Sequence, residues 1–200
     1  MLVENIEYSE KYQLVKLKIS GEFFYISYDF YYELNIAKDD ELDFDIFKQI
    51  VDQDQFNRCK NYALKQVSYR AITSLDIRKK LRDKKYTEEN IDKTIDYLKK
   101  YQLVDDEAYV RAYIKDKSTL SNWSKNKIYY KLKAKFLPDD LINKYLNMIS
   151  DDEEYKKAIL IAKRKAGDDL SYENKQKVYR FLYGRGFSYE IINRCLEEIF

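Results

Sequence analysis

One feature of this 200-residue sequence limits its fold more than any other: a set of six apolar sites that recurs three times. Ile77, Leu81, Tyr86, Ile91, Ile95 and Leu98 are matched 51 positions later by Ile128, Leu132, Leu137, Ile142, Leu146 and Ile149. Another 50 positions on stand Val178, Leu182, Phe187, Ile192, Leu196 and Ile199. All eighteen positions are apolar or aromatic, which marks a tandem repeat. The first two sites of each copy lie one helical turn apart, and the last three step by four and three on one helical face. The five-residue gap between the two groups breaks the helical phase, so each copy reads as helix, tight turn, helix. A charged helix follows the first pair as "DDEAYVRAYIKDK" and the second as "DDEEYKKAILIAKRK". Phe56, Cys59, Ala63 and Val67 fall on one face of a helix leading into the first copy. Units of this size bury a core by stacking on their neighbours, so the expected architecture is mainly α. Tandem three-helix repeats would form a curved elongated array at 56–117, 118–166 and 167–200, the last incomplete or capping.

Residues 1–55 read differently. Val15, Leu17 and Ile19 alternate with Lys16 and Lys18, the period of a half-buried strand. A turn at Gly21 and the run "FFYIS" complete a hairpin, and "IEY" supplies a shorter third strand. Beyond Leu34, "AKDDELDFDIFKQIV" offers acidic caps and then Phe44, Phe47, Ile50 and Val51 at helical spacing. The expectation is a small strand-plus-helix region, containing a β-hairpin, set before the repeats.

Composition removes several classes of chemistry. The chain has no histidine, so His-based triads and the common zinc sites are absent. Cys59 and Cys195 sit in apolar helical patterns and read as buried free thiols, too few for a disulfide framework or zinc site. No apolar run approaches a membrane span. The N-terminus "MLVENIEYSEKYQ" is acidic where a signal peptide is basic. A soluble, cytoplasmic and monomeric protein is expected. The doublets Asp39-Asp40, Asp105-Asp106, Asp139-Asp140, Asp151-Asp152 and Asp168-Asp169 invite a magnesium-nuclease reading. Each also falls at or just before an expected helix start, where Asp accepts from unpaired N–H groups and complements the dipole. Capping is the stronger reading. No catalytic residue, metal site or cofactor is assigned.

The net charge of +2 conceals a division: residues 1–58 carry −7 and residues 59–200 carry +9. The basic charge recurs by repeat, which favours a long contact with a polyanion over a single pocket. In "RKKLRDKK" the candidates for contact are Lys79, Lys80, Arg82, Lys84 and Lys85. The stretch "WSKNKIYYKLKAKF" contributes Lys125, Lys127, Lys131, Lys133 and Lys135. Since Ile128 and Leu132 define the inward face there, Lys127 and Lys131 lean outward or sideways, with Tyr130 and Lys133 further round. Trp123, Tyr129 and Phe136 are expected in the core. "AKRKAG" adds Lys163, Arg164 and Lys165, and the third copy adds Lys175, Lys177, Arg180 and Arg185. Two of the chain's four glycines flank Arg185 in "FLYGRGFSYEII". A phosphate loop would need a preceding strand and a longer glycine pattern. Repeat alignment instead makes "YGRGF" the third helix–turn–helix joint, with glycine closing a helix and Ser188 capping the next.

The run "SYRAITSLDIRKKLRDKKYTEENIDKTIDYLKKYQLVDDEAYVRAYI" (68–114), together with "RFLYGRGFSYEII", resembles the bacterial recombination regulator RecX family. The resemblance covers about 56–200 well and the first region more loosely. It implies tandem three-helix repeats, a small strand-containing region before them, and no catalytic residues. It also implies a non-enzymatic partner of the RecA recombinase that binds along the groove of the RecA–DNA filament, and the basic surface adds single- and double-stranded DNA as expected partners. Such proteins reduce strand exchange, ATP hydrolysis and repressor cleavage. One departure stands at Gln102-Leu103, where the family often has glycine before the hydrophobic residue, and a changed turn is expected there. The rival readings are a general DNA- or RNA-binding helical protein and a nuclease built on the Asp doublets.

Overall fold

The computed structural model describes residues 1–10 and 13–200. They form two compact units, Met1–Val104 and Asp105–Phe200.

The first unit opens with a three-stranded antiparallel sheet of order β1-β2-β3: β1 (Val3–Ser9), β2 (Leu14–Ile19) and β3 (Glu22–Ser27). Val15, Leu17 and Ile19 of β2 are buried, while Lys16 and Lys18 face out and pair with Glu7 and Glu4 of β1. The β2–β3 loop is two residues long, Ser20 (φ 47°) and Gly21 (φ 87°). Two successive positive φ values match the right-handed twist of the flanking strands. A helix that the sequence did not reveal, α1 (Tyr28–Leu34), follows directly, its N-terminus capped by Ser27. Its tyrosines favour strands intrinsically, and burial of Tyr31, whose hydroxyl donates to the Ile36 carbonyl, decides the matter.

Helix α2 (Phe44–Tyr69) is capped by Asp43 and runs through the expected region limit at residue 55. Its first half packs Ile46, Phe47 and Ile50 on the sheet. Its middle closes the edge of β3: the Tyr25 N–H donates to Asp54 Oδ1 (2.8 Å), and Asn57 Nδ2 donates to the Tyr25 carbonyl (3.0 Å). Arg58 completes the seam, donating from Nε to Asp54 Oδ2 at 2.6 Å and from Nη2 to the Phe23 carbonyl. The opposite edge is covered by the loop carrying Asp39 and Asp40, with Asp39 N donating to Val3 O and Val3 N to Asp40 O. Each edge of this small sheet is thus covered in part, at Tyr25 on β3 and at Val3 on β1. The Asp39-Asp40 doublet thus belongs to a turn; it does not begin a helix, as expected, because Asp43 caps α2.

The second half of α2 opens the first three-helix bundle with α3 (Ser74–Asp83) and α4 (Glu88–Lys100). Cys59, Ala63, Ile77, Leu81, Ile91, Ile95 and Leu98 form its core. In the second unit, α5 (Asp106–Thr119), α6 (Lys125–Lys133) and α7 (Asp139–Leu146) enclose Val110, Ile114, Ile128, Leu132, Leu137, Ile142 and Leu146. Helices α8 (Asp151–Ala166), α9 (Tyr172–Gly184) and α10 (Tyr189–Ile199) enclose Ala158, Ala162, Val178, Leu182, Phe187, Ile192, Cys195 and Leu196. Fifteen of the eighteen repeat sites are buried, and Tyr86, Ile149 and Ile199 pack against the cores from their margins. Each charged helix shares a core with the pair after it. The expected limits at 117/118 and 166/167, which joined it to the pair before it, are corrected accordingly.

The turn between the second and third helix of each bundle places one residue in the left-handed region: Lys85 (φ 62°), Phe136 (φ 61°) and Gly186 (φ 85°). At Gly186 this is a Schellman closure, with Gly186 N donating to Tyr183 O and Phe187 N to Leu182 O. Gln102 (φ 54°) closes α4 in the same way, Leu103 N donating to Leu98 O. The departure at Gln102 therefore leaves the turn geometry in place, with the strain of a side chain where glycine has none. Phe136 is corrected from core to surface, 77% exposed, because a left-handed residue after a helix points its side chain away from the bundle.

Four Asp doublets do lie at helix starts. Asp105 caps α5, Asp139-Asp140 and Asp151-Asp152 fill the first turns of α7 and α8, and Asp169 accepts from Ser171 N just before α9. Among the described residues no group of three or more acidic or cysteine side chains is arranged to hold a metal ion.

Candidate nucleic-acid interface

The seventeen basic candidates divide by what holds them. Several are neutralised locally. Arg82 makes a two-pronged pair with Glu88 (2.6 and 2.9 Å), Lys133 pairs with Asp139 (2.6 Å), and Lys163 pairs with Glu198 (2.7 Å). The Asp139 carboxyl is held below its ordinary value by Lys133 and by the Tyr129 hydroxyl. Lys125 is drawn inward, its Nζ donating to Asp151 (2.5 Å) and the Ile149 carbonyl (3.2 Å) beside buried Glu154. Lys135 stands over the Tyr109 ring and Lys175 over Phe200.

The remainder form no ion pair among the described residues, although Lys177 is near enough to Asp169 to act on its carboxyl. In the first unit these are Lys79 and Lys80 of α3 and Lys84 and Lys85 of the following turn, with Lys84 lying over the Tyr62 ring. In the second unit they are Lys127 and Lys131 of α6, Arg164 and Lys165 of α8, and Lys177, Arg180 and Arg185 of α9 and its turn.

A joint between the second and third bundles gathers part of this second set. The N-terminus of α6 receives the turn after α9. Ser124 N donates to Arg185 O (3.0 Å), Ser124 Oγ donates to Gly186 O (2.5 Å), and Ser124 Oγ accepts from Lys127 N in the capping bond (3.1 Å). A β-carbon at Gly186 would lie 2.6 Å from Lys127 Cβ and 2.8 Å from Ser124 Oγ, so glycine is required by close approach as well as by its φ. Lys127 reaches across to the Gly184 carbonyl (2.5 Å) with its ammonium 4.6 Å from the centre of the Trp123 ring. It is half-buried and part of the joint, where the helical period alone has it leaning outward or sideways. The Arg185 guanidinium lies 3.7 Å above the Phe181 ring, and its buried Nε has no hydrogen-bond partner. Lys165 approaches the same ring at 5.9 Å.

Burial, with Lys131 and Arg185 close by, pushes the Lys127 ammonium below its ordinary value. Lys127, Lys131 and Arg185 thus lie close enough to act on one another, and none of the three forms an ion pair among the described residues. Sequence reasoning missed the lysine that holds the joint from beneath. Lys157 of α8 donates to Trp123 O (2.8 Å) and Ser118 Oγ (3.1 Å), and burial lowers its pKa. Only its place beside Ala158 on the inward side of α8 hinted at this.

No described helix is long and apolar enough to cross a membrane. Models of the three successive RecX three-helix domains match residues 59–98, 105–146 and 151–196, in register with the three bundles. The regulatory protein RecX of Clostridium perfringens (strain SM101 / Type A) is 37% identical over 175 residues, covering 84% of this chain and 81% of its own. That of Clostridium acetobutylicum is 33% identical over 202 residues, covering 96% and 92%. A crystal structure of a regulatory protein RecX shares the fold over 98% of both chains with a TM-score of 0.75 at 22% identity. RecX from Lactobacillus salivarius aligns over 73% of this chain and 97% of its own, with a TM-score of 0.63 at 26% identity. With three matched domains, and with relatives above 30% identity along most of their length, the chain belongs to the RecX family of regulatory proteins.

Proposed function

We propose that this protein is a non-enzymatic, cytoplasmic modulator of the RecA recombinase. It binds along the groove of the RecA–DNA filament and reduces strand exchange, ATP hydrolysis and repressor cleavage. The observation that carries the reading is the family's three-domain pattern combined with unpaired basic charge on the second helix, or its closing turn, of every bundle. Lys79, Lys80, Lys84 and Lys85 mark the first, Lys127 and Lys131 the second, and Lys177, Arg180 and Arg185 the third. A polyanion whose charges repeat along its length matches a protein whose charges repeat along its sequence. Linked weak contacts of this kind give avidity when their spacing fits the target, and the hydrogen-bonded joint between bundles two and three fixes part of that spacing in advance. The monomer suffices for such binding, and no cofactor or metal enters it.

The test is RecA-catalysed ATP hydrolysis on single-stranded DNA with increasing amounts of this protein, and binding to naked DNA measured in parallel. A fall in hydrolysis at concentrations that leave naked DNA mostly free supports the proposal. Salt-sensitive binding to naked DNA with hydrolysis unchanged would assign the chain to general nucleic-acid binding.

A further inference from the structure

The outer side of α9 carries tyrosines that charge does not account for. Tyr183 is 67% exposed, and its ring lies parallel to that of Tyr179 one turn earlier, with centroids 6.2 Å apart and planes 9° from coplanar. Tyr179 packs against the third bundle's core, so the pair has a buttressed inner ring and an outer ring open to solvent. Arg180 is exposed between them in sequence, donating from Nε to the Gln176 carbonyl and to no carboxylate. Immediately beyond Tyr183 stand the Gly184 carbonyl that holds Lys127 and the cap residue Arg185, whose guanidinium covers Phe181. The acid of α9, Glu173, is in its first turn, about 15 Å along the axis from Tyr183 at 1.5 Å per residue.

A flat open ring beside unneutralised cations is complementary to a ligand with flat rings along a chain of anions. A paired duplex hides the faces of its bases, and a single strand exposes them. We infer that Tyr183, backed by Tyr179, stacks on a base of single-stranded nucleic acid whose phosphates lie against Arg180 and Arg185. This rests on the nucleic-acid contact proposed above and assigns it a residue that touches the base. The parallel ring pair offers a surface and no apolar cavity, which favours a base over a protein side chain.

The experiment uses the full chain and two labelled single strands of equal length and charge, oligothymidylate and an abasic oligomer, compared by fluorescence anisotropy. Stacking predicts tighter binding to oligothymidylate. Tyr183→Ala should weaken that binding about tenfold, within the range for loss of one stacked base, and leave abasic binding unchanged. Tyr183→Phe should keep the preference, since the ring is retained. Equal binding of both strands by the unaltered protein would overturn the inference, as would Tyr183→Ala lowering both equally or neither. If Tyr183→Ala spares both strands and weakens only the inhibition of recombinase ATPase, the ring docks on protein and the inference also falls. Unchanged ATPase with the base preference intact would count against recombinase regulation alone.

Discussion

Ser124 and Gly186, 62 residues apart in sequence, meet through a 2.5 Å hydrogen bond from the serine hydroxyl to the glycine carbonyl. The same hydroxyl accepts from Lys127 N, so one side chain caps α6 and fastens the third bundle to the second. Ser124→Ala removes both bonds and strands a carbonyl. It should cost about 1–2 kcal/mol, as for loss of a strong N-cap. Urea unfolding followed by Trp123, the chain's single tryptophan, reports on this joint.

Gly186 and Gly21 both have positive φ, but a β-carbon at Gly21 would meet nothing within 4 Å. Gly21→Ala should therefore lose about 1–2 kcal/mol, the cost of the left-handed backbone alone. Gly186→Ala adds a clash with Lys127 and Ser124 and should lose about 2–4 kcal/mol in all, from strain and overpacking together. Equal losses, measured by urea unfolding followed by circular dichroism, would show that the close approach at Gly186 is not tight.

Lys157 gives the joint a pH signature. Burial lowers its folded pKa below the unfolded value of 10.5, so between those two values the unfolded chain holds more of this proton. Stability must then rise with pH across that window, and below it the cost of the buried charge is constant. Lys157→Met has no such group. The stability of the unaltered protein relative to Lys157→Met should be greater at pH 10 than at pH 7, and a gap that stays constant would contradict the shift.

Charge counting alone ranks Lys131 and Lys133 equally, and the structure separates them. Lys133 is bound to Asp139, and Lys131 has no carboxylate partner among the described residues. Lys131→Ala should lower the slope of log affinity against log salt by about 0.7 on single-stranded DNA, one phosphate's share. Lys133→Ala should change it little.

The repeat sites were legible because burial at helical spacing leaves a periodic trace, and Ile77, Ile128 and Val178 occupy equivalent core positions. Periodicity shows which way a side chain points relative to its own bundle and is silent on what the next bundle brings. Periodicity therefore has Lys127 leaning outward or sideways and charge makes Arg185 a contact candidate, whereas one is fastened to Gly184 and the other lies on Phe181. Phe136 lies outside the core for a reason that composition cannot show, a left-handed φ at a residue other than glycine. Helix α1 escaped notice because its residues favour strands until tertiary burial overrides them.

The most direct test compares inhibition of RecA ATPase on single-stranded DNA by the unaltered protein and by the double variant Lys131→Glu/Arg185→Glu. The unaltered protein should suppress hydrolysis, and the variant, folded by circular dichroism, should need roughly tenfold more protein for half-inhibition, the weight of about 1.4 kcal/mol of lost phosphate contact. Hydrolysis untouched by the unaltered protein at saturation would contradict the account.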